Sequence, residues 1–226
     1  MNANMVAYSY LKGRGATRLC HFTKVKSLVH ILTSEDGIIA TDFINKDIKQ
    51  QNDFQRLDNK TDHVCCSLQY PNSWFLRKVR DRDTDLVFKE WVILVIDLGI
   101  LKEQSFKFCP CNASKGCGCY ISGEVASIAE LFSHTIGTRN RTPQMLMCCP
   151  TDDQAEILVY KNVPLRFVTG IIVGNNESAN NIGAILKTIG KHLPVFVSPS
   201  VCSTVWSDQV RSGQTPLETE YYYRGE

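Results

Sequence analysis

The segment from Glu90 to Asp97 constrains the fold more strongly than any other part of this sequence. Between its two acidic ends it reads Trp-Val-Ile-Leu-Val-Ile, without a polar residue. A short apolar run rich in β-branched side chains is typical of a strand that is buried on both faces. We therefore expect this segment to form a central strand of a covered β-sheet.

The rest of the pattern indicates further strands and several helices, in no regular β-α-β repeat. Such a mixture favours the α+β class, with a central and largely antiparallel sheet. Residues 134–149 show no periodicity and are expected to be irregular. The predicted strands are residues 18–23, 63–68, 155–160, 166–173 and 194–197, and the predicted helices are residues 25–33, 123–133 and 177–192, the last capped by Asn175 or Asn176.

Length and charge limit the number of domains and the kind of partner. The 226 residues fit a single domain with a substantial core. We expect that core to span about residues 16–205, with a loose polar tail at residues 207–226. The 25 lysines and arginines nearly balance the 23 aspartates and glutamates, so any surface for nucleic acid must be local.

Two features indicate a soluble cytoplasmic protein that does not interact with membranes. No apolar run is long enough to cross a bilayer, and residues 1–15 lack the cationic and apolar regions of a signal peptide. Several of the ten cysteines, among them Cys20 and Cys202, lie inside apolar strand patterns. Free buried thiols of this kind are usual in a reducing compartment.

The segment from Pro150 to Tyr160 places a carboxylate at the start of an apolar run, where a charge needs a reason. In an extended chain Gln154 and Glu156 point to the same face, since side chains alternate along a strand. One explanation is an edge strand whose polar residues face solvent. The other is a ligand site to which both side chains contribute.

Four separated segments carry a pattern that is more specific than any single motif. They are His21-Phe22-Thr23 on the first predicted strand, Arg56-Leu57-Asp58 before the next strand, the stretch from Ser67 to Phe75, and the stretch from Pro150 to Val159. A further landmark after the central strand is Phe108-Cys109-Pro110-Cys111-Asn112-Ala113. In this order the segments resemble the DarT family of DNA-directed ADP-ribosyltransferases, the toxin halves of bacterial toxin-antitoxin pairs.

The resemblance implies a fold, a co-substrate and partners. The fold is a single ADP-ribosyltransferase-like domain of the α+β class, in which helices flank a central, mostly antiparallel split β-sheet. The co-substrate is NAD, and no metal is expected. The partners are single-stranded DNA and a separately encoded antitoxin that removes the ADP-ribose.

The resemblance also implies roles for individual residues. Glu156 and Arg56 would be catalytic, with Arg56 against the phosphates of NAD. His21 would donate a hydrogen bond to a ribose hydroxyl or to the nicotinamide amide, with Phe22 and Thr23 beside it. Gln154 would help to select the acceptor, which the stretch 109–156 would present. The residues that would contact the nucleic acid are Pro71, Asn72, Ser73, Trp74, Phe75 and Leu76.

Elementary chemistry makes the two catalytic assignments sensible. Cleavage of the bond between nicotinamide and ribose develops positive charge on the sugar, which a fixed anion such as Glu156 stabilises. The attacking base nitrogen loses a proton, which a carboxylate within hydrogen-bond reach can accept. The planar guanidinium of Arg56 can pair with a diphosphate through two hydrogen bonds. Without the resemblance, His21 would be interpreted as a core histidine and Arg56 as part of a solvated helix face.

Asn72 and Trp74 precede a cluster of cations. A hydrogen-bonding amide, a stacking ring and positive charges are the combination that single strands need. Arg139 and Arg141 add a second basic patch. Aspartates interleave with the first cluster, and the contrary interpretation is an ordinary surface whose charges cancel. The cations are Arg77, Lys78, Arg80 and Arg82, and the aspartates are Asp81, Asp83 and Asp85.

Four cysteines lie close together in the sequence, and their thiolates could close a tetrahedral zinc site. Only one residue separates the members of each pair, whereas structural zinc sites usually have two to four. We therefore favour reduced thiols over zinc. The four are Cys109, Cys111, Cys117 and Cys119.

The leading hypothesis is an enzyme that transfers ADP-ribose from NAD to a base in single-stranded DNA and acts as a toxin. Arg56-Leu57-Asp58 and Pro71-Asn72-Ser73-Trp74 look closer to the guanine-directed branch of the family than to the thymidine-directed one, so we expect guanine. One alternative is the same NAD chemistry on RNA or on a protein side chain. Another is a non-catalytic module that binds single-stranded nucleic acid.

Overall fold

The computed structural model of the protein describes residues 2–44, 58–84 and 90–223. Within these ranges the strands are β1 (Arg18–Lys24), β2 (Ile38–Ile39), β3 (His63–Leu68), β4 (Trp91–Asp97), β5 (Phe106–Cys109), β6 (Thr135–Ile136), β7 (Arg139–Asn140), β8 (Glu156–Tyr160), β9 (Asn162–Val163), β10 (Val168–Val173), β11 (Val195–Val197) and β12 (Thr219–Tyr221). The helices are α1 (Ala3–Gly13), α2 (Val25–Thr33), α3 (Ser73–Asp81), α4 (Ile100–Glu103), α5 (Asn176–Thr188) and α6 (Val205–Arg211). Short 3-10 helices lie at Thr41–Phe43, Lys115–Gly118, Val125–Phe132 and Leu165–Phe167.

Eight strands form one sheet in the order β12-β11-β10-β4-β1-β3-β8-β5. Neighbouring strands are antiparallel except for β10 and β11. The predicted central strand is β4, which lies between β1 and β10. The prediction of a mixed α and β domain with a large, mostly antiparallel sheet is therefore confirmed.

The sheet opens between β1 and β3. Along its whole length β1 pairs with β4, through seven residue pairs. With β3 it shares two pairs, which end at Cys20 and Ser67. Beyond Cys20 the two strands separate, so the residues from His21 to Lys24 border a gap. A ligand can bind in this gap between the two strands.

Both faces of the sheet are covered, which explains why β4 is apolar at successive positions. Leu94 contributes to the larger core, which α1 and α5 complete. Its neighbour Ile93 contributes to a second core on the opposite face. In that second core the ring of Trp206 stacks on Tyr70 with a centroid separation of 5.2 Å.

The core extends beyond both predicted ends. In α1, which the sequence pattern did not predict, Ala7 and Leu11 are fully buried. The tail expected to be loose, residues 207–226, includes the last five residues of α6, in which Val210 is buried, and β12, which pairs with β11 through three residue pairs. None of the helices in the three described ranges is long and apolar enough to cross a membrane.

Several local predictions needed correction. The predicted helix at residues 123–133 is a 3-10 helix, and the predicted strand at 166–173 begins only at Val168 after a 3-10 turn. The supposedly irregular residues 134–149 include a hairpin of β6 and β7. Helix α5 ends at Thr188, and its cap is Asn175, whose side chain accepts a hydrogen bond from the Ser178 amide at 2.8 Å.

Candidate active site

A cavity of about 470 Å³ lies at the opening between β1 and β3. Pockets for small ligands typically measure roughly 300–1,000 Å³. The cavity brings together these predicted site residues: His21, Phe22, Thr23, Asn72, Phe75 and Glu156. The predicted residues outside its lining are Pro71, Ser73, Trp74, Leu76 and Gln154. Arg56 lies outside the described residues, whereas Asp58 two positions later is part of the lining.

Glu156 stands in a row of cross-strand neighbours. It is the first residue of β8, and it pairs with Ser67 of β3 on one side and with Cys109 of β5 on the other. Ser67 pairs in turn with Cys20 of β1. Direct cross-strand neighbours point to the same face of a sheet. Glu156 and Ser67 therefore stand side by side in the wall of the cavity.

A backbone amide holds the carboxylate of Glu156. The Ala113 N–H donates to Oε1 at 2.9 Å. Asn112 and Ser114 flank Ala113 in the lining, so the loop after β5 passes beside the carboxylate. A carboxylate fixed in this way can stabilise positive charge on a ligand with little reorganisation.

His21 bridges the opening of the sheet. Its Nδ1 lies 2.8 Å from the carbonyl oxygen of Cys65 on β3. A carbonyl oxygen only accepts, so Nδ1 donates this hydrogen bond. The hydrogen bond from His21 to a ribose hydroxyl or to the nicotinamide amide stays a prediction.

Aromatic rings form the wall next to His21. The ring centroid of Phe22 lies 5.8 Å from that of Phe75 and 5.9 Å from that of Trp91. Thr23 follows in the lining and is buried. The cavity thus has an apolar, aromatic side and a polar side with the carboxylate.

Helix α3 begins at the cavity, and Asn72 fixes its position. The side-chain oxygen of Asn72 accepts a hydrogen bond from the Phe75 amide at 3.0 Å, which caps the helix. The backbone N–H of Asn72 donates to the Ser67 hydroxyl at 3.0 Å. The cap therefore ties α3 to the row of residues that contains Glu156.

The structure corrects part of the predicted nucleic-acid contact. Pro71 and Leu76 are buried. The hydroxyl of buried Ser73 donates to the Val201 carbonyl at 3.1 Å and accepts from Trp206 Nε1 at 2.9 Å. These three side chains face the protein interior and Asn72 is only 4% exposed, so Trp74 and Phe75 are the partly exposed residues of the stretch.

Trp74 lies near two arginines, outside the cavity. The guanidinium carbons of Arg77 and Arg139 lie 5.0 Å and 5.9 Å from the centroid of its ring. Its Nε1 is buried and has no hydrogen-bond partner among the described residues. We call Trp74, Arg77 and Arg139 the cation–aromatic surface.

Arg141 does not belong to this surface. It donates to the carbonyl oxygens of Cys149 and Leu146, each at 2.8 Å, and so serves the fold of its own loop. The sequence pattern placed Arg139 and Arg141 in one basic patch, but only the first lies near Trp74. Arg141 is therefore not part of the nucleic-acid surface that the sequence pattern predicted.

Gln154 lies in a turn, and β8 begins only at Glu156. The backbone N–H of Gln154 donates to Asp152 Oδ1 at 2.9 Å. Strand alternation therefore does not relate Gln154 to Glu156, and the expectation that both point into one cavity is wrong for Gln154. A role for it in selecting the acceptor stays a prediction.

The four clustered cysteines do not converge. Cys109 and Cys111 are buried with their sulfur atoms 3.9 Å apart, whereas Cys117 and Cys119 are exposed. Across the described residues no three potential ligands are placed to hold a metal ion.

Ser67 and Ala113 belong to the site but were not predicted as site residues. Ser67 begins one of the family-like segments and Ala113 ends another. Neither a serine nor an alanine at such a place indicates by itself that the residue belongs to a ligand site. Ser67 reaches Glu156 through strand register, and Ala113 through a loop contact made by its backbone. Both relations are non-local, so no periodicity could have indicated them.

Solved structures share this arrangement of strands and helices. The DarT of Thermus sp. 2.9 in complex with ADP-ribosylated ssDNA matches with a TM-score of 0.59 and 17% identity over 83% of this chain and 96% of that chain. The same protein in complex with NAD+ gives 0.57 and 17% over 82% and 97%. The DarTG of Thermosipho africanus in complex with ADP-ribose gives 0.52 and 16% over 82% of this chain and 50% of that one. The chain shares the fold of these DarT structures.

The sequence identifies the family. The family model described as "ssDNA thymidine ADP-ribosyltransferase, DarT" matches residues 20–203. The chain belongs to the DarT family, as its ordered segments indicated. No protein of curated function matches the sequence.

Proposed function

We propose that the protein transfers ADP-ribose from NAD+ to a base of single-stranded DNA. The observation that carries the proposal is the position of Glu156, which the Ala113 amide holds in a cavity that His21, Phe22 and Thr23 also line. An aromatic side suits a flat nicotinamide ring, and a carboxylate suits a ribose hydroxyl. NAD+ supplies the nicotinamide–ribose bond that is broken in the reaction.

Glu156 is proposed to act twice. Its carboxylate stabilises the positive charge that develops on the ribose as neutral nicotinamide leaves. A nitrogen of the acceptor base then bonds to the same ribose carbon, and Glu156 takes the proton which that nitrogen loses. The proton passes from the carboxylic acid to water, so the enzyme returns to its starting state.

Arg56 is proposed to bind the diphosphate of NAD+ and to act in catalysis. The proposal rests on its place in the Arg56-Leu57-Asp58 segment. Asp58, at the end of that segment, lies in the cavity lining. A guanidinium near this position would offset the negative charge that the diphosphate brings into the cavity.

Replacement of His21 by asparagine or alanine is expected to weaken NAD+ binding by about tenfold, the equivalent of one hydrogen bond. Asparagine can still donate to the Cys65 carbonyl, as Nδ1 does at 2.8 Å, but it has no atom at the position of Nε2. Titration calorimetry with NAD+ measures the effect. His192, which is exposed and outside the cavity lining, supplies the control variant His192→Asn.

The two His21 variants separate the roles of the two ring nitrogens. Similar losses in both variants assign the ligand contact to Nε2. A His21→Asn protein with wild-type affinity, together with a weakened alanine variant, would contradict that assignment and leave only the bond to Cys65.

The cation–aromatic surface is proposed to bind the DNA strand. A ring with two guanidinium groups nearby offers stacking to a base and charge to the neighbouring phosphates. The surface continues α3, whose first turn reaches the cavity at Asn72 and Phe75.

Trp74→Ala is expected to weaken binding of a single-stranded oligonucleotide by about 30-fold, because base stacking on one ring contributes about 1–3 kcal/mol. Trp74→Phe keeps a stacking ring and should retain most of the affinity. Fluorescence anisotropy with a labelled strand measures both. Since Trp74 is outside the cavity lining, NAD+ affinity should not change. An alanine variant that binds DNA like the wild type would remove Trp74 from the interface.

The proposed reaction is tested by intact mass measurement. Purified protein is incubated with NAD+ and with matched single-stranded DNA, double-stranded DNA and RNA. An ADP-ribose increment on single-stranded DNA supports the proposal. An increment on RNA alone overturns the choice of nucleic acid, and an increment on protein alone overturns both the acceptor and the proposed DNA surface.

Guanine is the proposed base, on the basis of the Arg56-Leu57-Asp58 and Pro71-Asn72-Ser73-Trp74 segments. The description of the matching family model names thymidine instead. Oligonucleotides that contain a single guanine or a single thymine in the same context separate the two. Modification of the thymine strand alone overturns the choice of guanine and leaves the transfer reaction intact.

A toxin with a cognate antitoxin is the proposed biological setting, in keeping with the resemblance. Expression of the wild-type chain should then arrest bacterial growth, and co-expression of an enzyme that removes ADP-ribose from DNA should relieve the arrest. Growth at the normal rate, with modified DNA present in the cells, would contradict the toxin role.

A further inference from the structure

Helix α6 is bonded to the stretch of chain that leads into Glu156. At the end of the helix, Arg211 Nη1 donates to the Asn140 carbonyl at 3.0 Å. Its Nη2 donates to the Thr151 carbonyl at 2.8 Å and to Asp153 Oδ1 at 2.9 Å. The Ser207 hydroxyl donates to Asp153 Oδ2 at 2.6 Å. We call this set of hydrogen bonds the Arg211 clamp.

The clamp is buried, so its geometry is specific. The side chain of Asp153 is 1% exposed and that of Arg211 is 17% exposed. Both oxygens of the carboxylate have hydrogen-bond donors. Loss of one partner of such a pair leaves a buried charge without compensation, whereas the complete pair favours one arrangement of the groups that it joins.

The backbone of α6 holds the same stretch at a second place. The Thr142 hydroxyl donates to the Arg211 carbonyl at 2.6 Å, and the Leu146 amide donates to the Val210 carbonyl at 3.0 Å. Gly213 follows with a φ of +82°, and a Cβ there would lie 2.9 Å from the Gln144 carbonyl oxygen. The helix therefore fixes residues 140–146 and residues 151–153 at once.

The clamp lies apart from the cavity. Asn140, Thr151, Asp153, Ser207 and Arg211 are all absent from the cavity lining. The stretch it holds instead joins Arg139 of the cation–aromatic surface to Glu156. Loss of the Arg211 clamp would therefore displace the cation–aromatic surface relative to the Glu156 carboxylate. The walls of the cavity would stay in place.

We propose that Arg211 is a positioning residue for the acceptor strand: it sets residues 139–154 against Glu156 so that a bound base meets the reacting ribose. The proposal rests on the proposed function. Residues 205–211 lie beyond residues 20–203, which the family model matches, so the clamp is inferred from this chain alone.

Arg211→Ala is expected to lower the rate of transfer to single-stranded DNA by about 100-fold, since small displacements of reacting groups cost that much. Its dissociation constant for NAD+ should stay within about twofold of the wild-type value, because the clamp is outside the cavity. Arg166→Ala is the matched control. Its guanidinium pairs with Glu103 at 2.7 Å on the surface, with side chains 62% and 52% exposed.

Chemical rescue separates positioning from general stability. Added guanidinium ion at a concentration too low to denature should restore part of the transfer rate of Arg211→Ala, and should not raise that of the wild type or of Arg166→Ala. Arg211→Lys should remain impaired, because one ammonium group cannot reproduce a planar fork that reaches three acceptors. Hydrogen–deuterium exchange of residues 139–154 reports the clamp directly and requires no activity.

The outcomes distinguish this proposal from the proposed function. A wild-type protein that modifies no strand overturns the proposed function. An active wild type with an equally active Arg211→Ala variant overturns the positioning role alone. A variant that loses NAD+ affinity and transfer to the same extent, without rescue, assigns Arg211 to stability and likewise overturns it. Faster exchange at residues 139–154, a selective loss of transfer and rescue by guanidinium support it.

Discussion

Replacement of Glu156 by glutamine is expected to lower the rate of ADP-ribose transfer by about 1,000-fold, because the variant loses both the anion beside the ribose and the proton acceptor. Glutamine keeps a side-chain oxygen that can accept from the Ala113 amide, as Oε1 does at 2.9 Å. The loop beside the site should therefore stay in place. Intact mass measurement of modified oligonucleotides over time gives the two rates.

Glu103→Gln controls for the loss of a negative charge, since Glu103 is on the surface and outside the cavity lining. Circular dichroism should show that both variants are folded. The decisive comparison is between transfer and NAD+ binding, which glutamine should preserve to within about tenfold. A folded Glu156→Gln protein with more than about a tenth of the wild-type rate would show that another group performs the chemistry.

The parts of the fold with a strong local pattern could be predicted from the sequence. The predicted helix at residues 25–33 and the predicted strand at 63–68 match α2 and β3 residue for residue. The central strand at 90–97 starts one position later than expected. In each case the spacing of apolar residues reflects burial on one face or on both, and that spacing is visible without knowledge of the partners.

The arrangement of the site could be predicted only in part. Motif order indicated His21, Phe22, Thr23 and Glu156, and these four meet in one cavity. The row that sets Ser67 beside Glu156 depends on the register of three strands, which is fixed by contacts between distant residues. Arg56, outside the described residues, stays a prediction from the sequence alone.

Two predictions differ from the structure in the region around α6. The resemblance assigned Ser73 and Leu76 to the nucleic acid, but α6 covers Ser73 and the core encloses Leu76. Residues 207–226, which include the second part of α6, were expected to be loose because their composition is polar. A short helix that buries one tryptophan and one valine gives a weak periodic signal, although its packing is extensive.

Trp206→Ala is accordingly expected to lower the free energy of unfolding by about 3–5 kcal/mol, which is the usual cost of removing a buried large aromatic side chain. The side chain is 3% exposed, its ring lies 5.2 Å from that of Tyr70, and its Nε1 donates to the Ser73 hydroxyl at 2.9 Å. The alanine variant leaves a cavity at the junction of α6, α3 and the sheet. Thermal unfolding should shift downward by about 10 °C for a chain of this size.

Trp206→Phe separates the ring from its hydrogen bond. Phenylalanine retains most of the packing against Tyr70 and leaves the Ser73 hydroxyl without its donor, so the expected loss is about 1–2 kcal/mol. Two variants as stable as the wild type would contradict the packing of α6. Because α6 also carries Arg211, the alanine variant should lose transfer activity below its unfolding temperature, whereas the phenylalanine variant should keep it. Stability and acceptor positioning would then depend on the same seven-residue helix.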